Sequence, residues 1–170
     1  MLKSLLSFVI FALPLSASAI EFENLSLLYT DAPFLPAESA GISVLTGVGA
    51  IKGNPDGTFR PNRLLNRAEF LKIALLSNPK IRVSKSDAGN CFPDVRRTDW
   101  FSSFVCLAKK RGAVAGYPDG TFKPERTVNY AEALKMLGEL YDYNRYATPD
   151  EPWFMGYVRQ AQFYKTILPI

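Results

Sequence analysis

The chain has 170 residues, no histidine, two cysteines, and 20 basic against 16 acidic residues, for a formal charge of +4. That length suits one domain with a sizeable core, or a few small units sharing one. The missing histidines exclude histidine-based triads and zinc–histidine sites, and the modest positive excess is spread through the chain, which argues against nucleic acid as a partner.

Residues 1–19 read as a secretory signal peptide. Met1-Leu-Lys3 is a short basic start, Leu5 to Leu15 is a nearly continuous apolar run, and Ala17-Ser-Ala19 offers small residues for cleavage. The alternative is a membrane anchor, but the run is short for a span and no basic stop follows. Removal would leave 170 − 19 = 151 residues and take away only Lys3, lowering the charge to +3. No second long apolar segment exists to form a stable transmembrane span. An exported chain at the cell surface or cell wall meets anionic wall polymers, so a polysaccharide or teichoic-type ligand is the fairer expectation.

Residues 20–77 form a lead-in and a first unit. Helix formation over Glu38 to Val48 is weakly encoded, because Gly41 and Gly47 lower propensity while Ile42 and Leu45 keep part of an apolar face. Gly49-Ala-Ile-Lys-Gly-Asn-Pro-Asp-Gly-Thr-Phe-Arg-Pro61 follows, and it returns as Gly112-Ala-Val-Ala-Gly-Tyr-Pro-Asp-Gly-Thr-Phe-Lys-Pro124, an offset of 112 − 49 = 63. Asp56 and Asp119 are turn-formers here rather than acids. The alternating oxygens of Asn54, Asp56 and Thr58 are spoiled by Tyr117 in the second copy, so no metal is expected. Asn66 and Glu69, like Asn129 and Glu132, have capping-box spacing. Phe70, Ile73, Ala74 and Ser77 then form a stripe beside Leu71 and Leu75.

Residues 78–90 read as a polar linker, with Lys80, Arg82 and Lys85 on a solvated face. The second unit, residues 91–142, opens on Cys91-Phe-Pro-Asp-Val95. Asp99 can cap a helix from Trp100, in which Phe101, Phe104 or Val105, and Ala108 share one face. Lys109-Lys-Arg111 suits its C-terminus. Ala133, Leu134, Leu137, Leu140 and Tyr141 give the second helix its apolar side. Cys91 and Cys106 allow one intrachain disulfide, closing a loop of 106 − 91 = 15 steps, worth roughly 3 kcal/mol in the chain-entropy model. Two buried thiols are the alternative. In residues 143–170, a connection leads to a partial third unit in which Pro152 fits a first helical turn and Phe154, Tyr157 or Val158, and Ala161 repeat the spacing.

Phe92-Pro-Asp-Val95, Trp100-Phe, the Gly112–Pro124 stretch and Tyr130-Ala-Glu132, with Gly53–Pro61 and Arg67-Ala-Glu69 in the first unit, together resemble the S-layer homology family. The resemblance implies a mostly α fold: repeats of helix, loop with a short extended segment, and helix, packed as a pseudo-threefold bundle with the third repeat incomplete. It also implies a non-catalytic module without cofactors that anchors exported proteins by binding acidic, often pyruvylated, cell-wall polysaccharide in grooves between repeats. Carried over, the ligand-binding positions are Arg67, Gly53, Gly116, Asp94, Trp100 and Trp153. Asp94 has a structural alternative, and the tryptophans, each opening an apolar stripe, favour core packing over sugar stacking. Arg67 could instead sit on a solvent-facing helix N-terminus, a place with no dipole reason for a cation. Three departures stand out: Tyr130 replaces the motif arginine, Asn54 replaces the usual tyrosine, and the third unit lacks both loop and arginine. The competing readings are an envelope protein acting by self-association or partner docking, and the N-terminal fragment of a longer surface protein.

Overall fold

A computed structural model describes residues 28–34, 36–143, 148 and 150–163. The signal-peptide reading of residues 1–19 lies outside them. Among the described residues, five α-helices follow one another: α1 (Pro36–Gly47), α2 (Arg67–Leu76), α3 (Ser102–Lys110), α4 (Tyr130–Leu140) and α5 (Met155–Phe163), with a 3-10 turn at Lys85–Asp87. Apart from two isolated bridges, the described residues contain no strand pairing. The mostly α class is therefore what the sequence implied. No described helix is long and apolar enough to cross a membrane.

Tertiary burial rescues α1 from its glycines, since Ile42 and Leu45 are buried with Tyr29, Ala50 and Phe59 in a small apolar cluster. The larger cluster gathers Phe70, Leu71, Ala74 and Leu75 of α2 with Val105 and Ala108 of α3, Leu134 and Leu137 of α4, and Tyr157 and Ala161 of α5. Helix α2 is the spine of the molecule: these residues face the large cluster, while Ile73 and Leu76 pack on the small one. Against it lie α3 and α4, and α5 lies on α4. Both capping boxes form, with Asn66 accepting from the Glu69 N–H and Asn129 from the Glu132 N–H.

Several local readings need correction. Helix α3 starts at Ser102, and the Asp99 carboxylate accepts from the Arg96 N–H at 2.7 Å instead of capping the helix. Pro152 lies in the turn before α5, where its carbonyl accepts from the Met155 N–H. In both places the Trp-Phe pair takes up the turn before the helix. The stretch 78–90 is less free than a linker: Asn78 is buried and donates from Nδ2 to Leu140 O at 2.8 Å, and Ile81 is buried in the main cluster. Lys80, Arg82 and Lys85 are exposed, as expected. Cys91 and Cys106 form the disulfide, with Cα atoms 5.5 Å apart.

Candidate functional site

The repeated Pro-Asp-Gly loops are built by the same rules twice. Asn54 N–H donates to Thr58 O and Gly57 N–H to Asn54 O; Tyr117 and Gly120 make the matching bonds to Thr121 O and Tyr117 O. Asp56 accepts from the amide and hydroxyl of Thr58, and Asp119 does the same from Thr121. Those hydrogen bonds, with the Arg60 guanidinium, hold the Asp56 carboxyl down at about 2; Lys123, then Thr121, holds Asp119 lower still. Each loop leaves through a residue with positive φ, Arg60 at 59° and Lys123 at 58°. The carboxylate of Asp31 fixes the first by accepting from Phe59 and Arg60 N–H at 2.8 and 2.7 Å. Asp94 fixes the second through Phe122 and Lys123 at the same two distances.

Glycine is required at 53 and 116 for a steric reason as well. Both have positive φ, and a Cβ there would meet Tyr29 Cε1 at 2.5 Å or Phe92 Cε1 at 2.7 Å. The aromatic ring therefore presses directly on the loop backbone, which sets the floor of each groove.

Two grooves result. The second, about 350 Å³, is lined by Gly116 and Tyr117 of the second loop, Glu132, Lys135 and Met136 of α4, Trp153, and Arg67 from the first unit. Arg67 enters because the start of α2 docks on the second loop, donating from Arg67 N to Arg126 O and from Ala68 N to Pro124 O. Its side chain is 5% exposed; Nε donates to Phe122 O at 2.9 Å, and one terminal nitrogen stands 3.4 Å from Glu132 Oε2. The guanidinium carbon lies 4.7 Å from the ring centres of both Tyr117 and Phe122. Burial lowers the arginine's pKa, opposed by Tyr117 and Glu132. Burial pushes Glu132 up, yet hydrogen bonds from Tyr117 Oη at 2.6 Å, the Asn129 N–H and Arg126 prevail and leave its carboxyl below the ordinary range.

The first groove, about 370 Å³, is lined by Lys52, Gly53, Asn54, Arg60, Arg63, Glu69, Lys72 and Trp100, among others. Among the described residues it contains no counterpart of Arg67. The arginine thus serves the loop one unit ahead of its own, so the groove it lines holds Tyr117 and not Asn54.

The structure brings Arg67, Gly116 and Trp153 together, and places Gly53 and Trp100 in the other groove. Asp94 lines neither and works as a backbone clamp. Arg67 is buried, contrary to the solvent-facing alternative. The core-packing expectation for the tryptophans fails: Trp100 and Trp153 are 55% and 56% exposed, each standing edge-on to the phenylalanine that follows it. It is Phe101 that is buried in place of Trp100. Sequence reasoning missed Lys135, whose Nζ lies 5.5 Å from the Trp153 ring, and Glu132 beyond its capping role. Their signal was available: both stand 63 residues after Glu69 and Lys72, which line the first groove.

Comparison with known proteins agrees with this architecture. The model of the S-layer homology domain matches residues 29–71 and 92–134. The middle cell wall protein of Brevibacillus brevis is 31% identical over 134 residues, which is 78% of this chain and 13% of that protein. The surface layer protein of Brevibacillus choshinensis is 31% identical over 133 residues, 75% of this chain and 12% of that protein. The cellulosome-anchoring protein of Acetivibrio thermocellus is 27% identical over 117 residues, 68% of this chain and 26% of that protein. The matched portion is thus a small part of each relative's length. The chain belongs to the S-layer homology domain family, and the cell-surface location expected from its sequence agrees with these relatives' names.

Proposed function

We propose that this member of the S-layer homology family is a non-catalytic cell-surface anchoring module that binds an acidic, carboxylate-bearing cell-wall polysaccharide in the groove lined by Arg67. The observation that carries this reading is a buried arginine with donors to spare. Nε is committed to Phe122 O and one terminal nitrogen faces Glu132 at 3.4 Å, longer than a good charge-assisted bond. The second terminal nitrogen makes no hydrogen bond among the described residues. A sugar carboxylate can therefore pair with the fork while Glu132 keeps Tyr117 and Arg126 as partners. The guanidinium is already packed between two rings, so little side-chain entropy is lost on binding. Trp153 offers an exposed indole face to the sugar ring, and Lys135 adds a second charge. The names of the cell-wall, surface-layer and anchoring relatives support the same role.

Sedimentation of the protein with purified cell-wall sacculi tests the reading. Binding should be lost when the attached polysaccharide is stripped, and should fall about tenfold or more for Arg67→Ala, the scale expected for one charge-assisted pair. A folded protein that ignores polymer-bearing walls of its own host would overturn it.

A further inference from the structure

We propose that the groove of the first copy is a second anion site, independent of Arg67, that takes a phosphate-bearing polymer on Lys52 and Lys72, beside Trp100. The place that the Arg67 side chain fills in the second groove is closed here by Asn54. Its Nδ2 donates to Thr58 O at 2.9 Å and reaches Phe59 O, the counterpart of Phe122 O, at 3.4 Å. Glu69, the counterpart of Glu132, is gripped by both terminal nitrogens of Arg63 at 2.9 and 3.2 Å. Arg60 is held by Asp56. With those two pairs set aside, Lys52 and Lys72 line the cavity with no carboxylate partner among the described residues.

Both grooves keep a cationic excess, but of different make. Lys72 corresponds to Lys135, but Lys52 corresponds to Ala115 in the second loop. With Glu132 paired to Arg126 as Glu69 is to Arg63, the second groove keeps a guanidinium and one ammonium, Arg67 and Lys135, whereas the first keeps two ammonium groups with no carboxylate partner among the described residues. A guanidinium fork matches a planar carboxylate; an ammonium is a compact point charge with rotatable donors and suits a phosphate approached from any side. Two of them in a cavity of about 370 Å³ suit a phosphate dianion or successive phosphodiesters of a chain. The exposed face of Trp100 forms a wall against which the intervening sugar or polyol can lie. The two grooves of one chain then sort anions by class, and this second site does not depend on Arg67.

The test is titration of the purified protein, at fixed ionic strength, with poly(glycerol phosphate) and with polygalacturonate as the carboxylate comparator. The double substitution Lys52→Ala/Lys72→Ala should weaken poly(glycerol phosphate) binding about tenfold or more, as loss of two charge-assisted contacts requires, and leave polygalacturonate unaffected. Lys52→Arg/Lys72→Arg, which keeps the charge, should lose much less. Arg67→Ala should leave poly(glycerol phosphate) binding intact. In Trp153→Phe, where Trp100 is the sole indole, emission should shift on addition of poly(glycerol phosphate). Inorganic phosphate competing at equal phosphate concentration would identify free phosphate as the recognised group, and weak competition would identify the polymer; either supports the site. Circular dichroism checks folding, and the single Lys52→Gln and Lys72→Gln variants carry the test if the double variant does not fold. Unchanged poly(glycerol phosphate) binding in the folded lysine variants, or an equal loss in Arg67→Ala, would overturn the proposal. Polygalacturonate binding that no substitution affects counts only against the Arg67 reading.

Discussion

The two grooves are built on loops and helices 63 positions apart, with tryptophans 153 − 100 = 53 apart, and come out chemically different. Each uses a glycine pressed by an aromatic ring, a glutamate and a lysine from the helix after the loop, and a tryptophan from the next unit. Among the described residues only the second receives a buried arginine from the preceding unit, because a helix N-terminus docks on the loop of the unit that follows it. This relocates the meaning of the motif. Arg67 stands in the first repeat but equips the second groove, and Tyr130, at the matching position, would serve a third loop that the described residues do not contain. Replacing the motif arginine by Tyr130 therefore leaves the Arg67 groove intact.

The copies also differ in how they are fastened. In the first, Tyr29 Oη and Thr46 Oγ1 share a hydrogen bond of 2.9 Å. In the second, the aromatic is Phe92, covered by Lys109 Nζ at 4.1 Å from its ring centre, and a disulfide ties the adjacent Cys91 to α3. The largest effect that should separate the copies is reduction of that disulfide. It is expected to lower unfolding stability by roughly 3 kcal/mol in urea titrations, with amide exchange rising around Phe92 and α3 before Tyr29 and α1. Asp94→Ala and Asp31→Ala should each cost about 2 kcal/mol, since each carboxylate accepts two backbone N–H bonds, and an equal cost would show that the loops are clamped alike despite their different staples.

A smaller contrast concerns acid. Both turn carboxyls are held below their ordinary value of 3.8, so their contribution is present above that pH and disappears as pH falls through the folded pKa. Amide shifts of Thr58 should therefore titrate near pH 2, and those of Thr121 lower, because Lys123 grips Asp119 most strongly. Coincident titration would remove the distinction. The smallest effect is expected from Tyr130→Arg, which should leave polymer binding through Arg67 within about twofold, well inside the scale of one lost contact.

Much of this was legible in the sequence. The capping boxes at Asn66 and Asn129, the turns at Asp56 and Asp119, the buried stripes of α2 and α4 and the cysteine pair all follow from local pattern. What was not legible depends on packing between units. The exposure of Trp100 and Trp153 could not be separated from the burial of Phe101 by spacing alone, because adjacent aromatics at a helix start compete for one core position. Asn78 looked like linker and is buried, because its amide meets the end of α4, more than 60 residues away. The destination of Arg67 is the same kind of fact: it depends on bonds from α2 to the 124–126 backbone, which no single motif encodes.

Arg67 is expected to work with Trp153 in the second groove and not with Trp100 in the first. A double-mutant cycle on polymer-bearing sacculi tests it most directly, pairing Arg67→Ala with Trp153→Ala and separately with Trp100→Ala. Coupling of about 0.5 kcal/mol or more is expected for the Trp153 pair, and additivity for the Trp100 pair. Coupling to Trp100, with additivity at Trp153, would contradict it.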